Sequence, residues 1–89
     1  MFMKIRKILI EDKIKEKIFY RHHVTSLEIK DILFNNPFVL KVSDGRYMAI
    51  GHYQRFITII FGVQKDMAFI VTAYPSSEAQ RKLYKLRKK

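Results

Sequence analysis

Cysteine is absent from this chain of 89 residues, which excludes disulfides, thiolate zinc sites and a thiol nucleophile. That absence fits a reducing cytoplasm. Glycine and proline are scarce, three and two in all, and no repeat, low-complexity stretch or flexible linker divides the sequence. Long apolar runs are missing as well. The longest near the amino terminus, Ile8-Leu9-Ile10, is far too short for a signal-peptide core or a membrane span. The expectation is a cytoplasmic protein with no membrane partner. Acidic residues are the last scarcity: eight Asp and Glu stand against eighteen Lys and Arg, a formal net charge of +10.

Such self-repulsion in a small protein points to a polyanionic partner, because phosphates held by Lys and Arg release condensed counterions. The cations gather in two places. Lys4, Arg6, Lys7, Lys13, Lys15, Lys17 and Arg21 fill the first third, and Arg81, Lys82, Lys85, Arg87, Lys88 and Lys89 fill the tail. Between them the chain is mostly apolar and aromatic, so positive patches flank one compact core. The length allows one domain over residues 1–89, burying roughly 60 to 65% of the unfolded surface and leaving no depth for an enclosed pocket. Any chemistry belongs on an open face.

Met3 to Ile10 alternates weakly and predicts a short opening strand. Asp12 offers an N-cap for a helix to about His22, with Ile14 and Ile18 on one face and Lys13, Lys17 and Arg21 on another. Thr25 and Glu28 form a capping box for a second helix, with Ile29, Ile32 and Leu33 inward, which Asn35-Asn36-Pro37 stops. From Phe38 onward the period becomes strand-like. Strands are expected over Phe38–Val42, Arg46–His52, Phe56–Val63 and Met67–Ala73, joined by turns at Ser43-Asp44-Gly45 and Gln64-Lys65-Asp66. Ser77 and Gln80 make a second capping box, opening a terminal helix with Ala79, Leu83 and Leu86 inward. This order predicts an α+β fold with its helices on one face of an antiparallel meander. Both alternating sets of Phe56–Val63 are apolar, so that strand needs cover on both sides, from helices or from a partner.

Three segments in this order, Arg21-His22-His23-Val24-Thr25-Ser26-Leu27-Glu28, Asp44 to Gly51, and Ile70-Val71-Thr72-Ala73 with Glu78 to Tyr84, resemble the BrnT-type toxins of type II toxin-antitoxin modules. The resemblance runs from about Ile10 to Tyr84. It implies a RelE-like domain: an antiparallel sheet of three to four strands with two amino-terminal helices and one carboxy-terminal helix. It implies metal-independent cleavage of RNA that inhibits translation, no cofactor, and a cognate DNA-binding antitoxin as partner. Two departures stand out. The family pairs His with Gly before Val, where this chain has His22-His23, and it carries Arg after the Thr-Ala of the last strand, where this chain has Tyr74-Pro75.

Metal-free cleavage needs a base for the 2′-hydroxyl, cations for the phosphorane and an acid for the departing oxygen. His22, at a helix end beside Arg21, suits proton transfer, or else caps the helix dipole. Arg46, after the Asp-Gly turn, suits a bidentate phosphate contact, or else pairs with Asp44. Arg55 and Tyr74 complete the catalytic candidates. Lys13, Lys17, Arg21, Tyr47, Arg81, Lys82 and Lys85 are the nucleic-acid-binding candidates, with Tyr47 and Tyr74 also placed as half-buried sheet aromatics. His23 and His52 are expected to face solvent, and no metal site is expected from the histidines. The alternative is a basic nucleic-acid-binding module without activity, either an inactive toxin relative or a ribosome-associated protein.

Overall fold

A computed structural model describes residues 5–87. Its elements run β1 (Lys7–Leu9), α1 (Asp12–His22), α2 (Ser26–Phe34), β2 (Phe38–Ser43), β3 (Arg46–Tyr53), β4 (Arg55–Gln64), β5 (Met67–Pro75) and α3 (Glu78–Arg87). The strands form one sheet in the order β1-β5-β4-β3-β2. The sheet therefore has five strands and is mixed, where three to four antiparallel ones were expected. Strands β2 to β5 form the antiparallel meander, and β1 pairs parallel with β5, Lys7 against Met67 and Leu9 against Phe69. The opening strand is three residues long, and Met3 and Lys4 of the expected segment lie outside the described residues.

Alternation along β4 assigns the two faces of the sheet. Ile57, Ile59 and Phe61 point to the face covered by α1 and α2, where they meet Ile18, Val24, Ile29, Ile32 and Leu33 in a core completed by Ala49, Ala68, Ile70 and Ala73. Gly51 lies on this face because Ile32 presses against the backbone there, and a Cβ at that position would collide with its side chain. Phe56, Thr58, Ile60 and Gly62 point the other way, toward α3. The helices thus divide between both faces, which corrects the one-sided arrangement expected. The apolar second face of β4 is covered at one end by α3 and left open at the other.

Helix α1 begins after Glu11, whose side chain makes no cap bond, so Asp12 is the first helical residue rather than the N-cap. The capping box of α2 forms as its sequence predicts, with Glu28 N–H donating to Thr25 Oγ1 at 3.2 Å and Thr25 N–H to Glu28 Oε1 at 3.0 Å. The second box forms too, Gln80 N–H to Ser77 Oγ and Ser77 N–H to Gln80 Oε1. Helix α3 is turned differently from its apolar pattern. Gln80, Leu83 and Tyr84 are half-buried, while Ala79 is exposed and Leu86 is 70% exposed. The reason lies beneath it: this end of the sheet presents hydroxyls and rings, and an amide and a tyrosine satisfy those better than Ala or Leu.

Candidate functional site

Polar groups converge where the end of β5, the end of α1 and the first turns of α3 meet. Thr58, buried in β4, donates to Gln80 Oε1 at 2.9 Å and lies 2.7 Å from the Ser76 hydroxyl. With its one proton given to Gln80, Thr58 accepts from Ser76. Gln80 Nε2 donates to the Tyr74 hydroxyl at 3.0 Å and reaches Met48 Sδ at 3.6 Å. A directed chain therefore runs Ser76 to Thr58 to Gln80 to Tyr74. The Tyr74 oxygen accepts from Gln80, and no bond among the described residues takes its proton, which is left for an outside acceptor.

Past Phe69 the outer edge of β5 has no pairing with β1, and α1 packs along β5. The half-buried His22 ring there lies 5.9 Å from that of Tyr74, tilted 56°. Two exposed cations belong to the same elements: Arg21 precedes His22 on α1, and Arg81 on α3 has its Nη1 donating to the Ser76 carbonyl at 3.3 Å. Two of the catalytic candidates, His22 and Tyr74, are thus brought together.

Arg55 lies elsewhere. Its Nε and Nη2 donate to Glu28 Oε2 and Oε1, both at 3.1 Å, and Nη2 also donates to the His23 carbonyl at 2.6 Å. The guanidinium clamps the turn between α1 and α2. His23 closes α1 in the left-handed region, φ 56°, with its N–H on the Phe19 carbonyl. That conformation is one glycine adopts without cost, so the histidine standing there carries strain that the Arg55 bond offsets. Burial pushes the Glu28 carboxyl up, but the hydrogen bonds from Arg55 and from the Thr25 backbone outweigh it and hold the group below the usual glutamate range. Glu28 in turn raises the Arg55 pKa.

Arg46 shares the α3-side face with Tyr74, yet its cross-strand row passes through Gly62 and that of Tyr74 through Thr58. Four residues of β4 separate those rows, about 13 Å. Its guanidinium sits 5.6 Å from the centre of the Phe69 ring, and Nη1 makes a 3.5 Å contact with the Gly45 carbonyl. Tyr47 is on the opposite face, stacked on Phe61 at 5.8 Å and 28°. Lys13 and Lys17 are exposed on α1, as are Lys82 and Lys85 on α3, where Lys82 pairs with Glu78 at 3.3 Å and Lys85 sits 5.8 Å from the Phe56 ring centre. His23 and His52 are exposed. Among the described residues, no three of His, Asp and Glu gather closely enough to hold a metal ion, and no helix is long and apolar enough to cross a membrane.

Sequence reasoning did not single out Thr58, Ser76 or Phe69, and saw in Gln80 a helix cap alone. The signal available was a hydroxyl in an otherwise apolar strand, since a buried threonine requires a partner.

Three helices on a five-stranded mixed sheet, two before the meander and one after it, define an α+β fold. The fold is similar to that of the crystal structure of the Brucella abortus ribonuclease toxin BrnT, with a TM-score of 0.65 and 21% identity, covering 86% of this chain and 100% of that one. At that identity the likeness establishes the fold. No family model matches the chain. No curated protein matches it either.

Proposed function

We propose that this protein is the toxin of a type II toxin-antitoxin pair, an endoribonuclease that cleaves RNA without metal and so inhibits translation. The observation that carries the reading is the His22–Tyr74 pair, in a chain of +10 charge whose fold matches that of a ribonuclease toxin. In this reading His22 takes the proton of a ribose 2′-hydroxyl, whose oxygen attacks the adjoining phosphorus. The bond to the 5′-oxygen breaks, that oxygen takes a proton from water, and the protonated His22 returns its proton to the solvent, giving a cyclic phosphate and a 5′-hydroxyl. Tyr74 donates its unused proton to a non-bridging oxygen, and Arg21 and Arg81 offset the charge of the phosphorane. Arg55 acts through the turn that follows His22. Lys13, Lys17, Lys82 and Lys85 attract the strand over longer range. The cognate DNA-binding antitoxin implied by the resemblance covers this corner.

The test is cleavage of single-stranded RNA by the purified protein in excess chelator. Parent protein should cut, and both His22→Gln and Tyr74→Phe should lower kcat/KM by about a hundredfold, with His22→Gln also losing the acidic limb of the pH–rate profile. RNA left intact by the parent would remove the enzymatic reading. One observation favours the second reading, a nucleic-acid-binding module without activity: Arg55 is held through Nε and Nη2 by Glu28 and His23, and the cross-strand row of Arg46 lies about 13 Å along β4 from that of Tyr74. Tight, salt-dependent RNA binding without cleavage would support it.

A further inference from the structure

The half of the sheet face that α3 leaves open carries a second constellation. Phe69 extends its ring across β4, over Gly62, where any Cβ would strike it. Glycine at that position makes the room. The Arg46 guanidinium, reaching in from β3, lies over the ring at 5.6 Å from its centre. On the β1 side lies a cavity of about 320 Å³ lined by Leu9, Glu11, Gln64, Met67, Phe69 and Ile70. By register, Leu9, Gln64 and Met67 share the Phe69 face, and so does Lys7, opposite Met67. An aromatic wall with apolar sides therefore has cations at two margins and a carboxylate and an amide within the lining.

We propose that this cavity is a nucleobase subsite that holds one base of the RNA strand whose cleavage is proposed above, stacked on Phe69. The inference rests on that reading for its substrate class alone. Charge decides the occupant. Arg46 and Lys7 fit the phosphates on either side of a base, and a protein of +10 repels a second copy of itself. A phenyl ring stacks on any base, so selectivity falls to the polar lining. Glu11 accepts from an exocyclic amine, and Gln64 matches the paired donor and acceptor of adenine. Uracil offers no amine, and its carbonyl oxygens would face a carboxylate. The subsite therefore favours adenine over uracil. The separation from the His22–Tyr74 pair, about 13 Å, equals about four stacked nucleotide steps and fewer when the strand is extended.

The experiment measures binding of short, end-labelled oligoadenylate and oligouridylate by fluorescence anisotropy across a salt series, with chelator present. The parent should prefer oligoadenylate. Phe69→Leu should weaken oligoadenylate binding about tenfold with an unchanged salt slope, because a stacking partner is lost and no phosphate contact is. Arg46→Ala should reduce the log–log slope by about 0.7. Glu11→Gln, an exposed substitution that leaves packing untouched, should reduce the adenine-over-uracil ratio. Unchanged affinity in Phe69→Leu, or an unchanged base ratio in Glu11→Gln, overturns the subsite. A parent that cleaves RNA while these variants bind as it does loses the subsite and keeps the nuclease. A parent that binds oligoadenylate through Phe69 and never cleaves keeps the subsite and loses the nuclease.

Discussion

The two faces of one sheet are built to different ends, although β4 supplies both. Beneath α1 and α2 the side chains are Ile57, Ile59 and Phe61, all fully buried, with small Ala49, Ala68 and Ala73 on the flanking strands. Toward α3 the same strand offers Phe56, Thr58, Ile60 and Gly62, and the helix above answers with Gln80, Leu83 and Tyr84. The first face is held by close packing and tolerates little change of volume. The second is held by directed hydrogen bonds and ring contacts over half its length and is open over the rest. A protein this small needs one dry face to fold, and the other is thereby free of that demand.

Substitution within β4 tests the division most strongly. Phe61→Ala, on the dry face, should cost about 4 kcal/mol and lower Tm by roughly 15 to 30 °C, enough to leave the chain largely unfolded at growth temperature. Ile60→Ala, its half-exposed neighbour, should cost about 1 kcal/mol. Equal losses in calorimetry would erase the distinction between faces.

The glycines sharpen it. Gly51→Ala drives a methyl into Ile32, which is buried and cannot withdraw, so about 2 kcal/mol should be lost. Gly62→Ala drives one into Phe69, whose ring borders the open cavity and can swing away. That substitution should cost about 1 kcal/mol or less and instead weaken oligoadenylate binding. A greater stability loss at Gly62 than at Gly51, measured by urea unfolding, would reverse the assignment.

A smaller effect tests the clamp between α1 and α2. Glu28 has a lowered pKa in the folded chain, so its contribution is full above the ordinary glutamate value and disappears as the pH falls through the lower folded value. Glu28→Gln should flatten that acid segment of the stability–pH curve and cost about 2 kcal/mol at neutral pH, where Arg55 loses its charged partner. An unchanged acid segment would mean that another carboxylate governs it. The smallest effect is expected at the exposed Glu78–Lys82 pair, where Glu78→Gln should leave Tm unchanged within error.

Much of this was legible in the chain. Both capping boxes, the Asp44-Gly45 turn with Gly45 at φ 71°, and the change from helical to alternating period came from short-range chemistry, and local rules read such signals well. What was hidden depended on distance. Glu28 and Arg55 lie 27 positions apart, and nothing in either neighbourhood marks them as partners. The orientation of α3 was hidden for a related reason. Apolar spacing points Ala79 and Leu86 inward only if the surface below is apolar, and the polarity of that surface is set by Thr58 and Ser76 in other elements. Of the candidate site, His22 and Tyr74 were visible singly and their meeting was not.

The parallel pairing of β1 with β5 sets an order of events during synthesis. Lys7 leaves the ribosome early, but Met67, its partner, is added sixty residues later. At about 5 to 20 residues per second, the first strand waits several seconds for the edge it joins. In that interval the hairpins of β2, β3 and β4 close locally, and loop-closure entropy reserves the long-range pairing for the end. Leu9 and Glu11 reach Phe69 only through that last step. Both faces of the sheet are therefore completed only once β5 has emerged, since the dry face also needs its Ala68, Ile70 and Ala73, and the proposed subsite joins the first-made strand to the last-made one.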